Sequence, residues 1–375
     1  EEAVAYLDEN NLKGIVLSGR PYHLDPEINH GIPELINSLG MAVLSEDSVC
    51  HLAHMERPLR VVDQWVYHSR LYKAAEFCKN KDNLDMVQLN SFGCGLDAVT
   101  TEQVEDILNE KSKIHTVIKI DEGNNLGAAK IRLRSLKAAI NERELSGVKP
   151  SQLKEKKVEY QKNTRLNTKH TLLAPQMAPV QFQFIERAMQ DSGLNIVVLN
   201  NNSSEIIDEG LRYVNNDACY PAIIVIGQLI HALKSGEYDL DNTTVLMSQT
   251  GGGCRATNYI AFLRKALKSA GFPNVPVVSI SAQGIEDNGF KEQMNMKVLN
   301  KLVMGAVYGD LLMKVLLRVR PYESIPGSAN LLYEKWCDRC KESLKDANIR
   351  QFKKNIRDIV SDFDKLEITD EVKPR

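Results

Sequence analysis

Met86-Val-Gln-Leu-Asn-Ser-Phe-Gly-Cys94 and Val245-Leu-Met-Ser-Gln-Thr-Gly-Gly-Gly-Cys254 follow one plan. Each runs from a short apolar stretch into a Ser/Gln/Thr loop, then Gly-Cys, then a helix-like segment. A short apolar run bounded by turn residues reads as a strand buried on both faces of a parallel sheet. The surroundings agree. Before and after the first copy, 13–18, 41–44, 85–89 and 115–120 read as strands, and 28–39, 61–79 and 101–109 as helices. Around the second, 195–199, 244–247 and 275–279 read as strands, and 181–191, 205–214, 221–233 and 257–270 as helices. This β-α-β alternation predicts a parallel, doubly wound sheet in each half, and the two halves read as a weak internal duplication.

The expected fold is therefore α/β: two Rossmann-like parallel-sheet lobes facing a cleft, plus C-terminal helices. The first lobe is read over 1–123 and the second over 172–287. Between them, 124–171 is strongly polar and reads as one or two charged helices followed by an extended linker. From 288 to 375 the pattern is helical, with 294–315, 330–344 and 348–363 as helices and a frayed end.

Composition sets outer bounds. With 375 residues, 43% hydrophobic and 26% charged, the chain is an ordinary globular sequence of two or three domains. A formal charge of −2 supplies no overall attraction to nucleic acid or to an anionic membrane. No signal peptide is recognisable, and no apolar run reaches the ~18 residues of a membrane span. The first residue is Glu1 in a helix-like stretch, which reads as a piece of a longer protein. Seven scattered cysteines, an odd number, suit reduced thiols in a cytoplasm better than a disulfide framework.

Four of those cysteines fall where strands hand over to helices: Cys50, Cys94, Cys219 and Cys254. Their pair separations, 44 and 35 residues, lie far outside zinc-finger spacing. Loops at the carboxyl ends of parallel strands are where open α/β sheets bind ligands. Thiolates gathered there from separate loops point to a soft metal centre, an iron–sulfur cluster above all, with zinc as the alternative. Glycine beside Cys94 and Cys254 allows close backbone approach, and a helix start offers free N–H groups and a positive dipole end. Cys219 stands before Tyr-Pro at a helix start. Cys50 lacks the glycine and is followed by His51. Cys78 reads as a core residue, and Cys337-Asp-Arg-Cys340 as a structural pair within a helix.

The loop Ser18-Gly-Arg-Pro-Tyr-His23 is a candidate anion site, with Arg20 and His23 able to receive a phosphate or a CoA-type tail. The competing reading pairs Arg20 with Asp25 or Glu27. No P-loop, dinucleotide fingerprint, nucleophile elbow or zinc-protease motif occurs.

Gly19-Arg-Pro-Tyr-His-Leu-Asp-Pro-Glu27, Ser91-Phe-Gly-Cys-Gly-Leu-Asp97, Asn216-Asp-Ala-Cys-Tyr-Pro221 and Gly253-Cys-Arg-Ala-Thr-Asn-Tyr259 together resemble the C-terminal region of large CoA-substrate-specific enzyme activase proteins. That region is similar to 2-hydroxyacyl-CoA dehydratase subunits and double-cubane cluster proteins. The resemblance spans roughly 10–320. It implies an iron–sulfur cluster, of the 4Fe-4S kind, in the cleft. Its ligands would be Cys94, Cys219 and Cys254, with Cys50 as a fourth candidate. A double-cubane cluster would need six. It also implies an ATP-hydrolysing activator that delivers one electron, either fused upstream or separate, and acyl-CoA as a ligand. Two functions follow as expectations: an iron–sulfur redox module, dehydratase-like or an electron relay, or a non-catalytic α/β docking or ligand-binding module of a larger activase.

Overall fold

The computed structural model describes residues 1–91, 95–121, 123, 126–157, 159–160, 164–281 and 285–369. Contacts divide it into two compact units. The first is Glu1–Tyr160 with Val214–Ile223 and Gly251–Lys265. The second is Gln161–Tyr213, Ile224–Thr250 and Ala266–Arg375.

The first unit opens with α1 (Glu2–Glu9) and β1 (Gly14–Ser18), followed by α2 (Pro26–Asn29), α3 (Ile32–Ser38) and β2 (Ala42–Ser45). Then come α4 (Glu46–Val49), α5 (Val66–Lys79), β3 (Leu84–Ser91), α6 (Gly95–Asn109), β4 (His115–Ile120) and α7 (Gly127–Leu145). The four strands form a parallel sheet in the order β2-β1-β3-β4. Both faces are covered, as an all-parallel sheet requires. Ile15, Leu17, Val87, Leu89, Ile118 and Ile120 pack on one face against Ile32 and Ile36 of α3 and Leu133, Leu136 and Ile140 of α7.

The second unit contains β5 (Thr171–Ala174), α8 (Pro179–Gln190), β6 (Ile196–Val198), α9 (Glu205–Tyr213) and most of α10 (Tyr220–Lys234). It continues with β7 (Thr243–Ser248), the end of α11 (Tyr259–Ser269), β8 (Val277–Ile280), α12 (Met296–Val319), α13 (Ser328–Leu344) and α14 (Ile349–Asp364). Its sheet is also parallel, in the order β6-β5-β7-β8. The two orders are the same when each sheet's strands are counted from its own first strand. The α/β class with two parallel-sheet lobes is thus as the sequence predicts. C-terminal helices follow, built on a core of Leu312, Trp336, Leu344, Ile359 and Phe363 that also encloses Cys337 and Cys340. No helix among the described residues is long and apolar enough to cross a membrane.

Four local differences have physical causes. The expected helix 28–39 breaks into α2 and α3, because His30 and Gly31 both take left-handed backbone angles (φ 55° and 81°). The helix read from 61 starts at Val66: the Val61 and Val62 N–H groups donate to the side chains of Gln103 and Asn258, at 3.4 and 2.7 Å. The helix read from 101 begins at Gly95. The fourth is β5, a central strand of the second sheet, which the sequence reading left unassigned. It has four residues and runs into Pro175.

Helix approach in the second unit rests on missing side chains. A Cβ on Gly309 would lie 2.9 Å from the Gln181 Cα on α8, and one on Gly227 of α10 would lie 1.9 Å from the Ile206 carbonyl oxygen on α9. The second clash is with backbone and cannot be relieved by a rotamer change. Gly227→Ala should therefore destabilise the protein by about 3 kcal/mol, at the upper end of ordinary overpacking. The check is a lower denaturation midpoint; an unchanged midpoint would mean that α9 shifts freely.

Candidate functional site

In the first sheet the chain leaves β1 toward one edge and β3 toward the other, so the loops after β1 and β3 flank the topological switch point. The β1 loop folds back on itself. His23 is buried, and its Nδ1 accepts from the Arg20 backbone N–H at 3.0 Å. That leaves Nε2 to carry the proton and donate to Ser91 Oγ at 2.6 Å. Gly19 makes room: a Cβ there would lie 2.3 Å from His23 Nδ1. Arg20 Nε donates to Asp97 Oδ1 at 3.1 Å. The Asp97 carboxylate also accepts from the Ser91 backbone N–H. The loop thus grips both flanks of Cys94, three residues before it and three after. Phe92, Gly93 and Cys94 themselves lie outside the described residues. Burial pushes the Asp97 carboxyl up, Arg20 opposes it, and nearby Asp217 adds to the rise.

A second set of contacts brings 251–265 to the same helix. The Arg60 side chain is almost fully enclosed. Its Nε meets Asp106 at 2.8 Å and its Nη2 meets Glu102 at 3.3 Å, both on α6. Its Nη1 donates to the Ala261 carbonyl at 3.2 Å. Lys265 lies 3.4 Å from the same Glu102. Two further bonds run from the segment after Arg60: Val62 N–H to Asn258, and Gln64 Nε2 to the Cys254 carbonyl at 3.4 Å.

Helix starts then meet. Cys219 directly precedes α10 and its carbonyl accepts from the Ala222 N–H at 2.8 Å. Cys254 caps a short helical turn at 255–258, its Sγ accepting from the Ala256 N–H at 3.5 Å. Residue 94 directly precedes α6. The Cys219 sulfur is pressed against Gly95: a Cβ at 95 would stand 2.6 Å from it and 2.8 Å from Arg255 Cδ. Arg255 Nε donates to Cys219 Sγ. The Tyr259 hydroxyl bonds the same sulfur, and Tyr259 feels both thiols. Burial first, then Cys219 and Cys254, push its phenol well above the usual range. Cys219 is half-buried and Cys254 exposed.

The structure therefore places Cys219 on the glycine next in chain to Cys94, with Arg255, the neighbour of Cys254, bonded to its sulfur. Cys50 sits in its own turn, with Sγ 3.7 Å from the Asp47 carbonyl. Burial raises its pKa; Arg70 and Lys73 of α5 act against that, while Glu46 and Asp47 reinforce it. Among the described residues, no three His, Cys, Asp or Glu side chains form a ready metal-binding group. Cys78 is fully buried, its thiol pushed up to about 12 by burial. Sequence reasoning missed Arg255, Tyr259 and Asp97 as parts of the site. All three stand in quoted motifs, yet only the fold turns them toward sulfur or Arg20.

Residues 1–49 match the model of the CoA enzyme activase uncharacterised domain. This stretch, which holds β1, the Arg20–His23 loop and β2 and ends one residue before Cys50, is a CoA enzyme activase-related region. No curated protein and no solved structure matches the chain.

The site also carries a pH dependence. Burial holds His23 at about 4, with Arg20 adding to the drop. His68 is likewise held at about 4 by burial, partly offset by Asp63. It packs edge-on against Trp65 and Tyr67, with neither ring nitrogen hydrogen-bonded. Both are neutral when folded and bind a proton more readily when unfolded, so stability rises with pH between the two values. Their contribution should be complete above the ordinary histidine value of 6.5 and be lost as pH falls toward 4. The loss should be on the order of a few kcal/mol. Chemical denaturation at stepped pH checks this; His68→Phe should flatten the slope, and an unchanged slope would exclude His68 as a source.

Proposed function

We propose that the chain is an iron–sulfur redox module resembling 2-hydroxyacyl-CoA dehydratase subunits, which accepts electrons from an ATP-dependent activator. The observation that carries this reading is the Cys219 sulfur against Gly95, the residue after Cys94, with Arg255, the residue after Cys254, donating to that sulfur. The donor chemistry fits such a group. Two soft sulfur donors are at hand, Cys219 at the start of α10 and Cys254 before the helical turn 255–258. Cys94, one residue before Gly95, would be the third donor and Cys50 the fourth candidate. When bound, a 4Fe-4S cluster would supply one-electron transfer.

The protein's own residues do the rest. Gly95 leaves the space that the Cys219 sulfur enters. The bonds from Arg20 to Asp97 and from His23 to Ser91 hold residues 91 and 97, three positions to either side of Cys94 in the sequence. Their engagement recasts the proposed anion loop. Arg20 and His23 would act on an acyl-CoA ligand chiefly by fixing Ser91 and Asp97, beside which it would bind. The activator would be a fused segment or a separate protein, in keeping with the activase-related first 49 residues.

Anaerobic reconstitution with ferrous iron and sulfide tests the reading. The wild-type protein should turn brown, with broad absorbance near ~400 nm from sulfur-to-iron charge transfer. Cys94→Ser, Cys219→Ser and Cys254→Ser should each lose most of the iron, while Cys337→Ser should retain it. Colourless protein that takes up zinc would make the centre a zinc site. Protein that takes neither metal would leave the docking-module reading in force.

A further inference from the structure

Arg255 and Tyr259 belong to no ligand set read from the sequence, yet both address one sulfur atom. Arg255 Nε–H and the Tyr259 O–H converge on Cys219 Sγ. The Arg255 side chain runs beside Gly95, its Cδ and Nε 2.8 and 3.1 Å from where a Cβ would stand. Cys219 is thus seated from three sides: a guanidinium N–H, a phenol O–H and the bare α-carbon at the start of α6. The elements behind this seat are fixed. Ala261 and Lys265, on the helix that Tyr259 begins, are tied to α6 through Arg60 and Glu102. Cys254, the residue before Arg255, is held through its carbonyl by Gln64.

Resting on the metal-centre reading above, we propose that Arg255 and Tyr259 are positioning residues that aim the Cys219 sulfur and tune any metal it holds. Hydrogen bonds to a ligating sulfur draw electron density from it, which lowers its donor strength and stabilises the more reduced, more negative state of a cluster. A donor pair of this kind also fixes the sulfur's direction before metal arrives. Removing it costs affinity through lost orientation, at the ~10–100-fold scale seen when partners of metal ligands are removed.

Two variants separate these effects. Tyr259→Phe deletes one donor and leaves charge and shape nearly unchanged. Arg255→Ala deletes the other donor together with its charge. The first probe is cadmium alone, titrated anaerobically into each full-length protein and followed by the ultraviolet thiolate-to-metal band. Both variants should bind cadmium about 10-fold or more weakly than wild type. The second probe is the midpoint potential of the reconstituted cluster, which should shift to more negative values in both. A purely structural role would leave that potential unmoved.

Wild-type cadmium affinity together with an unshifted potential in both variants would overturn the proposal. If wild type binds cadmium through its cysteines but accepts no iron–sulfur cluster, the redox reading fails and the cadmium series still decides the role of Arg255 and Tyr259. If wild type binds neither, the cysteines form no ligand set and both ideas fall.

Discussion

The first unit depends on one buried cation. Arg60 lies between Asp106 and Glu102 on α6 and reaches the Ala261 carbonyl on α11, with its guanidinium 5.2 Å from the centre of the Tyr160 ring. Enclosing a guanidinium is costly, and the cost is offset only when several partners meet it at good distances. Here two carboxylates, a carbonyl and an aromatic face do so. Such a network adds less to stability than to register, because shifting any partner by a helical turn would leave a buried charge unpaired. The register it sets is the one the site needs. With Ala261 held against α6, the segment ahead of it carries Cys254 and Arg255 to the start of that helix. Lysine could not serve in the same way, since one ammonium cannot present a planar fork to two carboxylates and a carbonyl.

The repeated sheet order explains why there is a site to hold. Each sheet places its first and third strands side by side and sends the chain to opposite edges, so the loops after those strands have no crossover helix between them. The two copies then diverge. After β3, α6 starts at Gly95, directly behind Cys94. After β7, the Cys254 turn is followed by a short helical turn at 255–258 before α11 begins. Arg255 and Tyr259 are four residues apart across that turn and the start of α11, the spacing at which helical side chains share a face.

The sheets and the cysteine loops were legible in the sequence because their signals are local: short apolar runs, glycine before cysteine, helical spacing after it. The C-terminal helices were legible for the same reason. What was hidden depends on distant partners. Arg20 reads equally well as an anion ligand or as a mate for Asp25, and its carboxylate at Asp97 is 77 residues away. Residues 61–65 carry helical spacing, yet the N–H groups of Val61 and Val62 are taken by side chains of Gln103 and Asn258. No periodicity records that competition. The strand β5 is four residues long and is defined by the neighbours on either side of it rather than by its own pattern. The split at His30 turns on a left-handed histidine, which propensity does not anticipate.

Gly95 shows how closely the helix start and the sulfur are matched. Glycine within a helix costs roughly 1 kcal/mol relative to alanine, because more backbone freedom is lost on folding. At the first residue of α6 that cost is smallest, since the first-turn N–H groups have no helical carbonyl to bond in any case. At the same position an added Cβ would stand 2.6 Å from the Cys219 sulfur, at the mouth of the helix. Alanine would favour the helix and push the sulfur away from α6. Glycine weakens the helix slightly at its least sensitive point and leaves the sulfur its place. The closeness of Cys219 to this glycine, with Arg255 and Tyr259 turned toward the sulfur, couples the start of α6 to the segment that carries Cys219.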